Sequence, residues 1–467
     1  MDKTELDLDL DLDLPIRKIL TFLAKYENIH NFPLTDVFKN GCLKKMPTEW
    51  ADQLLQLTTE ELNNLPFLGT DSSVRHPLFP PTLHKFLHKA TALSLNQSQV
   101  KQITPLILDT NMARGMNPKK VHEVSIMAPF IHEVMKQTKC NLILDVGSGL
   151  GYLDHVLHQV YGHRVVGLEI SDSHISSAET RALNQGINCE GIHSVKFKLT
   201  NDAECLGQLE EMINKMSSMV NNKCPHQGQG QPVLQDSTEE MTSPAVCLIG
   251  LHCCGDLSTS LLTIYTSLKC VKAVCCVCCC YHKMAYKNGQ FVHFPISQLV
   301  RSVYTETRQD YPAWQISPYT LRVGAQQTRC SWKNQTVEQH SAHTRHVAYR
   351  GLLELTDMCD PTVVRKKIRK CDFSSFSTFL DSYFSPEADK AERLKLMELY
   401  ENHSKQIDMI EIFTCLQVVL QPVIETLVYL DRVQWLVEQG HPHITVSPIF
   451  DDALSPRNLM IKALKLS

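Results

Sequence analysis

The chain has 467 residues, of which 43% are apolar and 21% are charged, and its formal net charge is −4 at pH 7. This composition is typical of a globular protein with a well-buried core, and the length allows more than one domain. It excludes a chain that attracts polyanions through a global basic field, so any contact with nucleic acid would have to come from local patches.

The first segment, residues 1–115, has the apolar spacing of helices. It opens with MDKTELDLDLDLDL, which lacks the basic start and the apolar run of a secretory signal. Runs such as PIRKILTFLAKYENIHNF and LHKFLHKATAL place apolar residues three and four positions apart, between turns that contain proline. We predict a helical N-terminal domain and a location inside the cell, in the cytoplasm or the nucleus.

Residues 116–290 alternate between predicted helices and predicted strands. The helix NPKKVHEVSIMAPFIHEVMKQT leads to the strand NLILDV, and further strands follow at RVVGLEIS, VKFKLT, AVCLIGLHCC and KAVCCVCCC. This alternation is typical of a parallel sheet that is covered by helices on both faces. The stretch 217–244, rich in Gly, Pro, Gln and Ser, interrupts the pattern, and we predict a disordered loop there.

The rest of the chain leaves this alternation and then returns to the sheet. We predict a partly helical insertion over residues 291–405, in which the basic run RKKIRK is a solvated helix face. Residues 406–467 would complete the sheet domain with a long apolar helix and a terminal antiparallel pair, HITVSPIF and LMIKALK. Because that helix carries Pro422 and Glu425 in its most apolar part, we predict a buried helix and no membrane contact.

The 18 cysteines are clustered in apolar surroundings, a pattern that favours a reducing compartment over a disulfide-linked secreted domain. Five of them lie between Cys275 and Cys280. Neighbouring residues of a strand face opposite sides of a sheet, so these five cannot all converge on one ion. We predict that most are small buried core residues and that the chain has no metal site.

The segment LILDVGSGLGYLDHV has the pattern of a strand, a glycine-rich turn and a helix, which suits a nucleotide-type ligand. A phosphate-binding loop would need a Gly-Lys-Ser/Thr ending, and this turn has no lysine. A dinucleotide fingerprint would need a third glycine where the chain has Tyr152.

Two acidic residues, one before and one after this turn, together favour a ligand without a pyrophosphate. Asp145 would repel a pyrophosphate but attract a cationic ligand, and S-adenosylmethionine carries an ammonium group and no phosphate. Glu169 ends the second strand, where a carboxylate can accept hydrogen bonds from ribose hydroxyls. We predict a site for S-adenosyl-L-methionine, with Asp202 as the contact to adenine. Its cofactor-binding residues are Asp145, Gly147, Ser148, Gly149, Gly151, Glu169 and Asp202.

With these residues the chain resembles the class I S-adenosylmethionine-dependent methyltransferases, and more narrowly the methyltransferase-like 25 family. The segments that carry the resemblance are KKVHE, LDVGSGLGYL, GLHCCGDLS, CCYHK, PVIETLVYLDR and PIFDDALSPRNLMIKALK. The resemblance implies a Rossmann-like α/β fold, a mostly parallel sheet with a terminal antiparallel strand pair, and methyl transfer from the cofactor bound at the glycine turn.

The acceptor side of such a site lies beyond the carboxyl ends of the fourth and fifth strands, at GLHCCGDL and CCCYHK. These segments lack the Asn or Asp, proline and aromatic pattern of enzymes that methylate exocyclic or amide nitrogens. In an RNA cytosine-C5 methyltransferase, Cys253 or Cys254 with Cys279 or Cys280 would supply thiolates.

A second RNA alternative is closer in sequence. The two segments resemble parts of a tRNA ribose 2′-O-methyltransferase family, and His252, Asp256 and His282 would then orient or deprotonate a hydroxyl. We predict a methyltransferase that favours tRNA or rRNA, with candidate catalytic residues His252, Cys254, Asp256 and His282.

Other functions stay open from the sequence. His252 and the cysteines could close the pocket without taking part in chemistry. The chain could also methylate protein, or act as a non-catalytic scaffold whose N-terminal helices or insertion bind a protein partner. A measurement of S-adenosylmethionine binding distinguishes the enzyme, which must bind it, from a scaffold that does not.

Overall fold

The structure is a computed structural model. It describes the whole chain except residues 1–10, 70–75, 77–78, 96–99, 188–189, 201, 219–243, 357–367, 385–389 and 467. The predicted disordered loop, residues 217–244, lies almost entirely outside the described residues. The first half of the run RKKIRK lies outside them as well.

The described residues form two compact units. The first comprises residues within Met1–Arg17, Leu95–Glu306 and Leu427–Ser467, and the second comprises residues within Lys18–Ser94 and Thr307–Thr426. This division differs from the predicted segments 1–115, 116–290, 291–405 and 406–467. The N-terminal helices and the inserted helices belong to one unit because they contact each other directly.

Two hydrogen bonds in the second unit illustrate this contact. The hydroxyl of Ser317 donates to Asn31 Oδ1 at 2.6 Å, and Asn63 Nδ2 donates to the carbonyl oxygen of Gln335 at 2.8 Å. Their partners are 286 and 272 residues apart in the chain, so local patterning carries no information about them.

A seven-stranded sheet forms the centre of the first unit. Its strand order is β3-β2-β1-β4-β5-β9-β8; β1 to β5 are parallel, and β9 is antiparallel to both β5 and β8. The strands are β1 (Leu142–Val146), β2 (Val165–Glu169), β3 (Ile192–Lys196), β4 (Val246–Cys254), β5 (Val271–Cys279), β8 (Ile444–Pro448) and β9 (Leu459–Leu464). A separate hairpin consists of β6 (Tyr286–Lys287) and β7 (Gln290–Phe291).

The predicted α/β fold, a mostly parallel sheet with a terminal antiparallel pair, is confirmed. The strand β3 begins earlier than the run VKFKLT suggested, because its pairing with β2 starts where Ile192 lies opposite Val165. All five residues of β1 are buried, as expected for a central parallel strand.

The α-helices surround the sheet and build the second unit. Those before and within the parallel part of the sheet are α1 (Asp13–Lys25), α2 (Glu27–His30), α3 (Thr48–Leu54), α4 (Thr59–Asn64), α5 (Pro81–Ala92), α6 (Pro118–Thr138), α7 (Tyr152–Tyr161), α8 (Asp172–Asn184), α9 (Ala203–Ser218) and α10 (Leu257–Ser267). Those that follow are α11 (Gln298–Asp310), α12 (Pro318–Gly324), α13 (Arg329–Lys333), α14 (Val337–Leu353), α15 (Phe376–Tyr383), α16 (Lys390–Asn402), α17 (Ser404–Asp408) and α18 (Ile410–Glu438).

The helical stretch Ser404–Glu438, which comprises α17 and α18, is long and apolar enough, by length and composition, to cross a membrane. However, 78% of its most apolar stretch is buried inside the structure, as in the core helix of a folded domain. Polar residues of its centre also have partners within the fold: Gln417 Nε2 donates to the carbonyl oxygen of Ile29, and Gln421 Nε2 donates to that of Gly324. These features agree with the predicted buried helix.

Candidate active site

The glycine-rich segment forms the turn between β1 and α7. Gly147, Gly149 and Gly151 have φ values of 76°, 59° and 69°, in the left-handed region that residues with a Cβ rarely adopt. The N–H groups of Gly147 and Ser148 donate to the carbonyl oxygen of Leu168 in β2, at 2.8 and 3.2 Å. The turn is therefore fixed to the neighbouring strand at the carboxyl end of the sheet.

Two glycines of this turn serve different purposes. A Cβ on Gly149 would find its nearest described atom, the Gly147 carbonyl oxygen, 4.0 Å away, so this side of the turn is open. A Cβ on Gly151 would lie 3.0 Å from Nε2 of His155 and 3.2 Å from Cβ of Ala178. Gly151 therefore permits close packing, whereas Gly149 borders space that a ligand can occupy.

Glu169 ends β2, and its carboxylate lies against the turn. Its Oε2 accepts a hydrogen bond from the N–H of Gly149 at 3.1 Å, and its Oε1 accepts from the N–H groups of Ile170 and Ser171 at 2.8 and 3.0 Å. The side chain is 11% exposed. Because a carboxylate has about four acceptor positions, Glu169 can still accept hydrogen bonds from ligand hydroxyls.

Asp145 of β1 is paired with a second buried carboxyl group, Asp154 of α7. The two residues are 3% and 1% exposed, and each acts on the ionisation of the other. Burial raises the pKa of Asp145 to about 6, and burial together with the charge of Asp145 raises the pKa of Asp154 well above its ordinary value. Because two negative charges in contact repel each other strongly in the interior, the pair favours the state with one shared proton and one negative charge.

Asp202, the predicted adenine contact, is exposed and precedes α9. Its Oδ1 accepts a hydrogen bond from the N–H of Cys205 at 2.8 Å, and its Oδ2 accepts from the hydroxyl of Thr200 at 2.6 Å. These hydrogen bonds, that from Thr200 above all, lower the pKa of Asp202. In this structure Asp202 caps the helix, and the adenine contact stays a prediction.

His252 of β4 belongs to a polar cluster at the predicted acceptor side. Its Nε2 lies 3.1 Å from Oε2 of Glu123, a fully buried residue of α6 that also accepts a hydrogen bond from the hydroxyl of Ser455. Burial opposes a charge on both partners. The interaction with His252 nevertheless lowers the pKa of Glu123 to about 2, and hydrogen bonds to Cys279 and Glu123 raise the pKa of His252.

Asp256 and His282 lie on the loops that follow β4 and β5. Oδ2 of Asp256 accepts a hydrogen bond from the N–H of Ala285 at 2.8 Å, which links the two loops. A Cβ on the adjacent Gly255 would lie 2.9 Å from the carbonyl oxygen of Lys283, so the loops are in close contact. The half-buried His282 lies in the short 3₁₀ helix Tyr281–Lys283 within the second loop.

Three thiols meet at the carboxyl ends of β4 and β5. Cys254 pairs with Cys279 across the two strands, and the Sγ atoms of Cys254, Cys279 and Cys280 all lie within 4.8 Å of one another. The hydrogen bond between Cys279 and Cys254 lowers the pKa of Cys254 and raises that of Cys279 to about 12. Cys254 is therefore the first of the pair to form a thiolate.

Of the five cysteines between Cys275 and Cys280, which were predicted not to converge all together, only Cys279 and Cys280 join this cluster. The rule of alternating faces ends at Cys280. Its φ of 46° is left-handed, so the strand ends there and strict alternation of side chains no longer applies. Cys279 and Cys280 then share one side, with their Sγ atoms 3.5 Å apart. By contrast, Cys275, Cys276 and Cys278 are fully buried strand residues, as expected.

Sequence reasoning also missed Glu123 and Asp154 as members of the site. An acid in the first turn of a helix is ordinarily a solvated charge that complements the helix dipole, which is how Asp154 appears in the sequence. Glu123 lies in the segment KKVHE that supported the family resemblance, and this was the available signal.

A cleft of about 380 Å³ lies close to the turn, beside Tyr152. The guanidinium of Arg181, which lines the cleft, stacks 3.9 Å above the ring of Tyr152, whose hydroxyl donates to the carbonyl oxygen of Gly115. None of the seven predicted cofactor residues lines this cleft, so we base the site on the turn and its carboxylates rather than on the cleft.

Comparisons with known proteins agree with this geometry. Residues 119–287 match the family model described as a methyltransferase domain, a range that includes the turn, Glu169 and both acceptor-side strands. The chain is 24% identical over 464 residues to the Mus musculus protein named "Probable methyltransferase-like protein 25", with 75% of each chain covered. The Homo sapiens protein of the same name is 24% identical over 463 residues, again with 75% of each chain covered.

Proposed function

We propose that this chain transfers the methyl group of S-adenosylmethionine to RNA. The proposal starts from its family: the chain belongs with the class I methyltransferases and is related to the methyltransferase-like 25 proteins. The observation that carries the proposal is the left-handed turn. Its open side is at Gly149, and Glu169 accepts a hydrogen bond from that residue.

The residues of the turn fit this cofactor. The open side of Gly149 leaves room for the methionine portion, and the single negative charge held by Asp145 and Asp154 suits an ammonium group. Glu169 would accept hydrogen bonds from the ribose hydroxyls, and Asp202 would contact the adenine. When bound, the cofactor supplies an electrophilic methyl group on a sulfonium.

The acceptor would bind beyond the ends of β4 and β5. Three of the four candidate catalytic residues hold the ends of these strands in place: His252 contacts Glu123, Cys254 contacts Cys279, and Asp256 contacts Ala285. We assign these three to the shape of the acceptor pocket. His282, which lies half-buried on the loop after β5, is our candidate for the group that removes a proton from the acceptor hydroxyl.

The choice of RNA rests on the likeness of GLHCCGDL and CCYHK to tRNA ribose 2′-O-methyltransferase segments. We place the protein inside the cell, in the cytoplasm or the nucleus. All fifteen described cysteines are free thiols, which supports a reducing compartment.

The test has two stages. Calorimetric titration with S-adenosylmethionine should give a Kd in the micromolar range for the wild type, and binding should be lost in the folded Asp145→Ala, Glu169→Ala double variant. In the second stage, the wild-type protein is incubated with methyl-labelled S-adenosylmethionine and, in separate reactions, with a tRNA, an rRNA or a protein fraction.

Label that is released by ribonuclease but not by protease would support the RNA acceptor. Label that only protease releases would replace RNA with a protein acceptor. If the folded wild type binds no cofactor, the chain alone is not the enzyme, and a scaffold function or a partner-dependent activity takes its place.

A further inference from the structure

The thiols at the ends of β4 and β5 have the arrangement of a metal site. We propose that Cys254, Cys279 and Cys280, together with His252, bind one zinc ion. The Sγ atoms of the three cysteines lie within 4.8 Å of one another, and those of Cys279 and Cys280 are 3.5 Å apart. Two thiolates on a tetrahedral zinc ion, each with a Zn–S bond of about 2.3 Å, lie about 3.8 Å apart, so small shifts bring all three sulfurs to the ion.

The backbone brings the three ligands together from separate positions. Cys254 and Cys279 are register partners on adjacent parallel strands. The left-handed backbone of Cys280 turns its side chain to the same side as its neighbour. Cys254 is exposed and the other two are half-buried, so an ion can enter from solvent.

His252 is the fourth ligand that we propose. It lies two residues before Cys254 on β4, so the two side chains share one face of the strand. Its Nε2 lies 3.1 Å from Oε2 of Glu123. A histidine that binds zinc through one ring nitrogen typically donates its other N–H to a carboxylate, which fixes the ring and increases its basicity as a ligand. Glu123 is fully buried and suited to this role.

The set of ligands selects the metal. Three thiolates and an imidazole in tetrahedral order favour zinc over the hard cations magnesium and calcium, which prefer oxygen. Binding requires no redox step, because zinc replaces the thiol protons, which are released to solvent. The ion would join the ends of β4 and β5 at the acceptor side, and this proposal does not depend on the methyl-transfer proposal.

The first experiment measures zinc in the full chain, purified under reducing conditions without chelators. We expect about one zinc ion per chain by elemental mass spectrometry. Zinc should be lost from the Cys254→Ser and Cys280→Ser variants. The Cys270→Ser variant is the control and should retain zinc, because Cys270 is a half-buried cysteine just before β5, at the end of the strand opposite to the thiol cluster. Circular dichroism shows whether each variant is folded.

Cobalt provides a second readout that does not depend on purification. The metal-free wild type, titrated with Co²⁺, should show thiolate charge-transfer bands and the strong visible bands of a tetrahedral site. A wild type that carries no zinc and gives no such bands would overturn the proposal. So would full zinc retention by a folded Cys254→Ser variant.

The role of Glu123 gives a graded test of the histidine ligand. Glu123→Gln should weaken zinc affinity about 10- to 100-fold, the usual effect of removing the partner of a ligating histidine. Glu133→Gln, on the exposed side of the same helix, should bind zinc as the wild type does. Equal affinities in both variants would exclude His252 as a ligand.

Discussion

The charge of the cofactor site depends on which of two buried carboxyl groups is ionised. Asp145 and Asp154 lie in the interior, where two negative charges in contact would repel each other strongly. Burial and the charge of Asp145 raise the pKa of Asp154 well above its ordinary value, so we expect Asp154 to be the member of the pair that holds the proton. Asparagine imitates a protonated aspartic acid, which makes the two positions distinguishable by substitution.

Asp154→Asn should leave S-adenosylmethionine affinity close to that of the wild type, because it replaces a neutral donor with another donor. Asp145→Asn should weaken binding about 10- to 100-fold, because it removes the charge that faces the ammonium group. Calorimetric titration of both folded variants at pH 7 measures the difference.

Each of these two variants is the control for the other, since both replace a buried carboxyl group at the same place with an amide. If Asp154→Asn lost affinity and Asp145→Asn kept it, the proton would reside on Asp145, and our assignment of the charge would be wrong.

At the scale of elements, the turn from β1 to α7 combines a backbone requirement with a ligand requirement. Gly149 and Gly186 both have left-handed φ values, 59° and 75°. A Cβ on either residue has ample space: no described atom lies within 4 Å at Gly186, and the nearest lies at 4.0 Å at Gly149. Only Gly149 borders the proposed cofactor site.

Alanine at either position should cost about 1–2 kcal/mol of folding free energy, the penalty of a Cβ in a left-handed backbone. Gly149→Ala should in addition abolish S-adenosylmethionine binding, because its methyl group occupies ligand space, whereas Gly186→Ala should bind normally. Denaturant unfolding and calorimetry of both variants separate the two effects. Equal cofactor affinities would show that the open side of Gly149 is not the ligand site.

The elements themselves could be predicted because their patterns are local. Periodic apolar residues predicted α6 and α8, and uninterrupted apolar runs predicted β1 and β5, within a few residues of their observed ends. The thiol cluster could not be predicted, because it depends on one left-handed residue, Cys280, whose conformation is set by contacts outside the strand. Periodicity assumes that a strand continues, and it fails where the strand ends.

At the scale of the whole molecule, long-range polar contacts fix the second unit and were invisible in the sequence. Glu411 of α18 accepts hydrogen bonds from Nδ1 of His340 and of His343 on α14, while Nε2 of His340 lies 2.8 Å from Oδ1 of Asn63 on α4. Burial favours the neutral form of Glu411, but the bonds from the two histidines outweigh it and hold its pKa below the ordinary value. The cluster joins three helices that are far apart in the chain.

This cluster should make the stability of the second unit depend on pH. A carboxyl group whose pKa is lower in the folded state stabilises the fold above its unfolded pKa, here 4.5, and loses that contribution as the pH falls through the folded pKa. Glu411→Gln should therefore lower the free energy of unfolding at pH 7 by about 3 kcal/mol, since hydrogen bonds to a buried charge are lost. At low pH, where Glu411 is itself protonated, the difference between variant and wild type should shrink.

Urea unfolding followed by tryptophan fluorescence, at pH 7 and at a pH well below 4.5, measures this difference, because the buried ring of Trp332 contacts His340. Glu306→Gln is the control: it removes an equally negative residue from an exposed ion pair with Arg17 and should leave stability unchanged at both pH values. A Glu411→Gln variant whose deficit is the same at both pH values would show that the loss comes from packing. The charge of Glu411 would then not be what joins α4, α14 and α18.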